Sequence, residues 1–327
     1  MGATLHRRNN WHRKATRKPW RWPSASPGTV AAPRSVVQDP TRPAGNLIMI
    51  YEAENDCPGG VWQSEFYATV GLARSTDFGK TWPAPINGEF GGRDRRPVLK
   101  TAAAEPTTRE TPPIYMGNAI PSAFVDTNEK GEHYIYVAYI FAGQGADGFQ
   151  RMARARLEDD DPGSNDPSRR LTFAKWYKGA FSEPGIGGLD SGVTPARGCP
   201  GGQQQAQISY NDAIDQYLLT FVCVSLQGPA GNRKPYQAAW YYSTATSLEL
   251  QNWTIPQLIQ NSQFPVTTGC AYNGGGRSFD GWYPSFVSPN HAEGRLGENG
   301  QVFFLSGCDT QKRRFMSRTF TIEIGSN

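Results

Sequence analysis

The chain has 327 residues, with 33 Lys and Arg against 29 Asp and Glu, for a formal charge of +4. Residues 1–22 hold seven of the basic residues and no acid, which leaves −3 on the remainder, so the body of the chain lacks the basic excess that nucleic acid selects. No run of 18 apolar residues exists, which excludes a membrane-spanning helix, and no cofactor-binding motif stands out.

With 36 Gly, 25 Pro and 12% aromatic residues, the composition suits many turns between short, half-buried strands. The length suffices for one large all-β domain or two ordinary ones. The five cysteines (Cys57, Cys199, Cys223, Cys270, Cys308) include no C-x-x-C pair, which argues against zinc. Cys199 and Cys270 each follow a glycine in a Gly-rich loop and are the first candidates for a bridge. His6, His12, His133 and His291 have no metal-like spacing. Asn252-Trp253-Thr254 is a glycosylation sequon, meaningful only in a secreted eukaryotic protein.

In chain order, residues 1–32 are basic, rich in Pro, Ser and Trp, and aperiodic, and read as disordered. They contain no apolar core of the length a secretory signal needs. Strands are expected at 35–38, 46–51 and 67–75, with a fourth from Trp82. Between the last two lies R-S-T-D-F-G-K-T-W-P, Arg74 to Pro83. Here Asp77 can accept from backbone N–H groups a few residues on, and Gly79 can take the positive φ of a tight turn. A second set of strands is expected at 119–126, 133–141, 150–157 and 171–178. The acidic stretch E-D-D-D-P-G-S-N-D-P, 158–167, lacks the glycine and terminal Glu of a calcium loop and reads as a solvated turn. Residues 179–202 read as a long loop. A third set follows at 205–210, 216–225, 237–244 and 253–259, with Ser243 and Trp253 in a turn like that at Asp77 but lacking the Asp. After a loop at 260–281, a fourth set is expected at 282–288, 301–306 and 313–324. Four repeats of about 60–80 residues, each of about four strands, form the pattern of a β-propeller.

The motif S-x-D-x-G-x-T-W, carried by Ser75, Asp77, Gly79, Thr81 and Trp82, resembles the Asp-box of sialidase-like β-propellers. Y-E-A-E (51–54), W-Y-K-G-A-F-S-E-P-G-I-G-G (176–188) and W-Y-P-S-F-V-S-P (282–289) are similar to segments of five-bladed propeller glycoside hydrolases. The resemblance implies an all-β propeller over 33–327, of five- or six-bladed type, with four blades recognisable. It implies a secreted, monomeric glycosidase acting on a glycan, with Asp77 marking the fold and not the chemistry. The alternatives are a non-catalytic carbohydrate-binding propeller and a protein-interaction propeller. Because such rings close with five or six blades, a further blade, with an essential Asp, is expected upstream of the basic segment or replaced by it.

In a propeller, the loops between blades and those joining second to third strands reach one face. Hydrolysis of a glycoside needs one carboxylic acid to protonate the leaving oxygen and one carboxylate to activate water or attack carbon. The second expected strand ends at Glu52, Glu54 and Asp56, and alternation puts Glu52 and Glu54 on one side. Glu54 or Glu183 is the candidate acid, and Asp190 or Asp280 the candidate base. Tyr51, Trp62, Trp282 and Tyr283 are candidates to stack on sugar rings. Arg197 and Arg277 could serve as two of a sialidase's three arginines, with Tyr272 or Tyr283 as its phenol, but the early R-I-P of that family is absent.

Overall fold

The computed structural model describes residues 2–6, 29–56, 66–82, 96–102, 115–142, 148–161, 170–195, 198–199, 202–227, 234–267, 278–279, 281–291, 294–306 and 314–323. Apart from one short 3₁₀ turn, the described elements are strands. They form two compact units, residues 17–192 (unit 2) and residues 1–16 with 193–327 (unit 1). The first strand, β1 (Gly2–His6), belongs to unit 1.

Unit 2 is one mixed sheet built from two up-and-down groups. The first comprises β2 (Thr29–Gln38), β3 (Leu47–Asp56), β4 (Phe66–Ser75) and the short β5 (Arg96–Leu99), each antiparallel to the one before it. The second comprises β6 (Tyr115–Thr127), β7 (His133–Ala142), β8 (Gln150–Arg156), β9 (Ala174–Tyr177) and β10 (Ala180–Pro184). A short parallel ladder, Phe66–Ala68 beside Tyr115–Gly117, joins them. A Cβ on Gly117 would come 2.0 Å from the Ala68 carbonyl oxygen, so only glycine lets these strands meet. Between the groups lies a core of Val37, Ile48, Ile50, Val70 and Leu72 from the first and Ile135, Val137, Tyr139, Ala153 and Ala155 from the second.

Unit 1 repeats the pattern. β11 (Gly202–Asn211), β12 (Gln216–Gln227), β13 (Lys234–Ala245) and β14 (Gln257–Thr267) form one antiparallel group, with β15 (Ser278–Phe279) against the end of β14. β16 (Trp282–Val287), β18 (Asn299–Ser306) and β19 (Arg314–Glu323) form the other, and the short β17 (Arg295–Leu296) pairs with β11. Its core centres on the buried Trp240, edge-on to Phe286 and Phe304, with its indole N–H on the Gly281 carbonyl. Each such aromatic pair adds about 0.5–1.5 kcal/mol beyond burial.

The opening strand of every group carries a bulge. The register shifts between Pro33 and Ser35, Ala119 and Ser122, Gln204 and Gln207, and Trp282 and Ser285. Three of the bulges hold a non-glycine residue at positive φ: Ile120 at 52°, Gln205 at 55° and Tyr283 at 54°. Bulges re-aim side chains and blunt strand edges. Side chains then bridge the paired opening strands. Ser35 Oγ accepts from Ala123 N at 3.0 Å, and Gln207 accepts from Phe286 N and donates to Phe286 O.

At Arg74–Trp82 the turn forms as its residues dictate. Asp77 accepts from Thr81 N at 2.9 Å, Thr81 Oγ1 at 2.6 Å and Ser75 Oγ at 2.7 Å, while Gly79 sits at φ 76°. These bonds, the Thr81 hydroxyl first, hold the Asp77 carboxyl down from 3.8 to about 2.

Several expectations are corrected. Residues 2–6 are not disordered: β1 pairs antiparallel with Thr319–Glu323 and, at Thr4, parallel with Gln260. Thr29–Ala32 begin β2, while residues 7–28 lie outside the described residues. The loop expected at 179–202 opens with β10, hairpinned to β9 through Lys178 and Gly179, both at positive φ, the two-residue connection whose twist suits antiparallel strands. Residues 260–267, expected in a loop, belong to β14. Cys199 bonds Cys223, not Cys270, because residue 199 lies against mid-β12. The acidic stretch is not wholly solvated. Asp160 is buried on Arg74, which also holds the buried Asp39 at 3.0 Å.

Candidate active site

Three clusters bear on the candidates, two in unit 2 and one in unit 1. In the first, the register of β2 shifts between Pro33 and Ser35, and the Arg34 guanidinium between them turns onto Glu52, with Arg34 Nε 3.0 Å from Oε2 and Nη2 on the same oxygen. Glu52 is fully buried, and among the described residues its other oxygen has no hydrogen-bond partner. Alternation along β3 puts Ile48, Ile50, Glu52 and Glu54 on the core face and leaves Glu54 half-buried. Tyr51 takes the opposite face, its ring against Gly71, where a Cβ would come 2.2 Å from the ring. Tyr51 and Glu54 therefore do not face one ligand from the same side of β3.

In the second cluster, Asp190 accepts from Arg151 Nε at 2.9 Å through Oδ1 and from the Tyr139 hydroxyl at 3.0 Å through Oδ2. Lys175 Nζ stands 3.9 Å from the same Oδ2 and donates to the carbonyls of Lys100 at 2.8 Å and Gly188 at 2.9 Å. Glu183 is the cross-strand partner of Lys175, and its Oε2 accepts from Leu189 N at 3.3 Å. Two candidate acids, Glu183 and Asp190, thus come together around one lysine, and with Arg151 they form a set of two cations and two anions. Burial pushes the Lys175 ammonium down, opposed by the charges of Asp190 and Glu183. Burial first, and then the Asp190 carboxylate, push the Tyr139 hydroxyl well up. The run P-G-I-G-G at 184–188 permits this approach. A Cβ on Gly185 would come 2.4 Å from Val98 O, and one on Gly188 2.2 Å from Pro184 O.

In unit 1, Trp282 and Tyr283 open β16 with their ring centroids 5.9 Å apart. Trp282 packs against the core, whereas Tyr283 is 36% exposed. Gln205 Oε1 accepts from Tyr283 N at 2.6 Å. Gln205 is buried, and its Nε2 has no hydrogen-bond partner among the described residues.

Trp62, Arg197, Arg277 and Asp280, with Tyr272, lie outside the described residues. Among the described residues no group of three His, Cys, Asp or Glu side chains could hold a metal ion. Sequence reasoning did not select Arg34, Tyr139, Arg151, Lys175 or Gln205. A signal for the bulges was nevertheless present, in the matching I-P-S of 120–122 and Y-P-S of 283–285.

No protein-family model and no curated protein matches the chain. Among solved structures, it is similar to a glycosyl hydrolase from Bacteroides ovatus, at 15% identity over 88% of this chain and 65% of that one, with a TM-score of 0.39. The chain therefore spans slightly under two thirds of that protein's length. It is also similar to the catalytic domain of an α-L-arabinofuranosidase from Coprinopsis cinerea, at 13% identity over 89% and 90% of the two chains, with a TM-score of 0.34. A thermostable family-43 glycoside hydrolase shares 11% identity over 85% and 67%, with a TM-score of 0.37.

Proposed function

We propose that the chain is a propeller-type glycoside hydrolase whose acid chemistry lies at the end of β3. The observation that carries the reading is the pair Glu52 and Glu54, on one face of one strand, the first buried on an arginine and the second half-exposed. Residues two apart on a strand have Cα atoms about 7 Å apart. Carboxyl pairs that hydrolyse glycosides stand roughly 5–10 Å apart, in unlike environments. Glu54, the more accessible, is the proton donor to the leaving oxygen. Glu52, oriented by Arg34, is the second carboxylate of the pair. Asp190, with donors on both oxygens, positions Arg151 and the 184–190 loop. Four up-and-down groups, each opening on a bulged strand, support the propeller architecture. The Cys199–Cys223 bridge supports an extracellular setting, since disulfides persist where thiols are not kept reduced.

A second reading, a glycan-binding propeller without hydrolysis, is favoured by the full burial of Glu52. A panel of aryl glycosides and polysaccharides decides between them. Hydrolysis by the wild type that falls about 10²–10⁴-fold in kcat in Glu54→Gln supports the hydrolase. No turnover on any panel member, or turnover that Glu54→Gln leaves intact, overturns it.

A further inference from the structure

A separate group in unit 1 has a use that the acid pair does not require. Gln205 and Tyr283 both sit at bulges, both hold positive φ without being glycine, and are hydrogen-bonded to each other. L-residues enter that region at a cost and remain only where the surroundings over-determine them, a condition concentrated at ligand sites. Here Gln205 and Gln207 hold β16 in place, gripping the backbone at Tyr283 and at both the N–H and the carbonyl of Phe286. The strain serves to present the Tyr283 ring at the surface beside Trp282.

The orientation of the Gln205 amide is fixed by this bond. Tyr283 N–H needs an acceptor, so the oxygen faces it and the NH2 points away. That NH2 is buried with no hydrogen-bond partner among the described residues, an expensive state for a polar group. A part-exposed aromatic ring held in place by a buried amide matches a sugar ring, whose C–H face stacks on the tyrosine. Neither protein group is charged, so the match is to a neutral sugar.

We infer that Tyr283, positioned by Gln205, forms a stacking subsite for a neutral sugar residue in unit 1. Binding at this subsite does not depend on hydrolysis elsewhere. The test is titration calorimetry of the full chain with neutral gluco-, manno- and xylo-configured oligosaccharides, and with a sialylated one for comparison. The ring is removed by Tyr283→Asn, because asparagine tolerates positive φ and should leave the melting temperature near the wild-type value. The expected result is binding of a neutral oligosaccharide that weakens about tenfold or more in Tyr283→Asn, a change of the size that losing one stacked ring gives. Gln205→Met should weaken binding of the same ligand and also lower the melting temperature, because it strips Tyr283 N–H of its acceptor. The inference is overturned if no neutral oligosaccharide binds, if the sialylated one binds better, or if Tyr283→Asn binds as the wild type does. Binding of this kind in a protein that hydrolyses nothing would leave the subsite standing and remove only the hydrolase reading.

Discussion

Loss of Arg74 should destabilise unit 2. One guanidinium nitrogen holds Asp39 at 3.0 Å and another holds Asp160, and all three residues are buried. Replacing Arg74 with Met keeps much of the volume and leaves two carboxylates without the charge between them. Removing one partner of a buried ion pair costs about 3–5 kcal/mol. The lower end applies here. Asp39 keeps Arg42 at 3.3 Å and the Thr41 N–H, and Asp160 keeps the Leu171 N–H. A loss of about 3 kcal/mol in a unit of this size lowers the melting temperature by roughly 6–12 °C. Differential scanning calorimetry of the full chain at neutral pH measures it. Adding Asp160→Asn to Arg74→Met should recover part of the loss, since an amide tolerates burial better than an unpaired carboxylate. A shift below about 2 °C in the single variant, or no recovery in the double, would refute the reasoning that charge pairing and not side-chain volume sets this cost.

Two further outcomes are expected. The Asp77 carboxyl is held at about 2 against an ordinary 3.8, so its contribution is whole above the higher value and vanishes as pH falls through the lower. Stability measured by urea unfolding between pH 4 and pH 2 should fall less steeply in Asp77→Ala than in the wild type, and equal slopes would contradict the assignment. Reduction of Cys199–Cys223, which are 24 residues apart, should cost about 3 kcal/mol, seen as a lower midpoint in denaturant with reductant that Cys223→Ser reproduces without it.

The apolar stretches at 67–75 and 133–141 lay open in the sequence because a strand buried on both faces reads as a near-continuous apolar run. The Asp77 turn was equally plain, since each of its hydrogen bonds is local. What stayed hidden depended on distant partners. The five residues of β1 carry no signal of their own and become a strand only beside 319–323. Cys223 sits mid-strand in V-C-V, and only the return of residue 199 to that strand selects it over Cys270. Asp190 looked like an open loop acid because Arg151 and Tyr139, which occupy it, lie 39 and 51 residues away. Glu52 and Glu54 were visible as a pair, but the arginine that separates their surroundings comes from a bulge that only pairing creates. The Lys178-Gly179 turn before β10 was hidden because lysine at positive φ is not a residue the hairpin turn favours, and the glycines and prolines that follow read as a loop.

The lacing of residues 2–6 to residues 319–323 sets an order of assembly. Every residue of unit 2 has been translated by position 192, so its sheet can form while synthesis continues. The β1 pairing in unit 1 must wait, its strand parked beside an edge that does not yet exist, until the ribosome has delivered residues 319–323 more than 300 residues later. Contacts this remote in sequence form slowly, and the unfilled edge between β14 and β19 is the place where a nascent molecule would recruit a neighbour's strand in error.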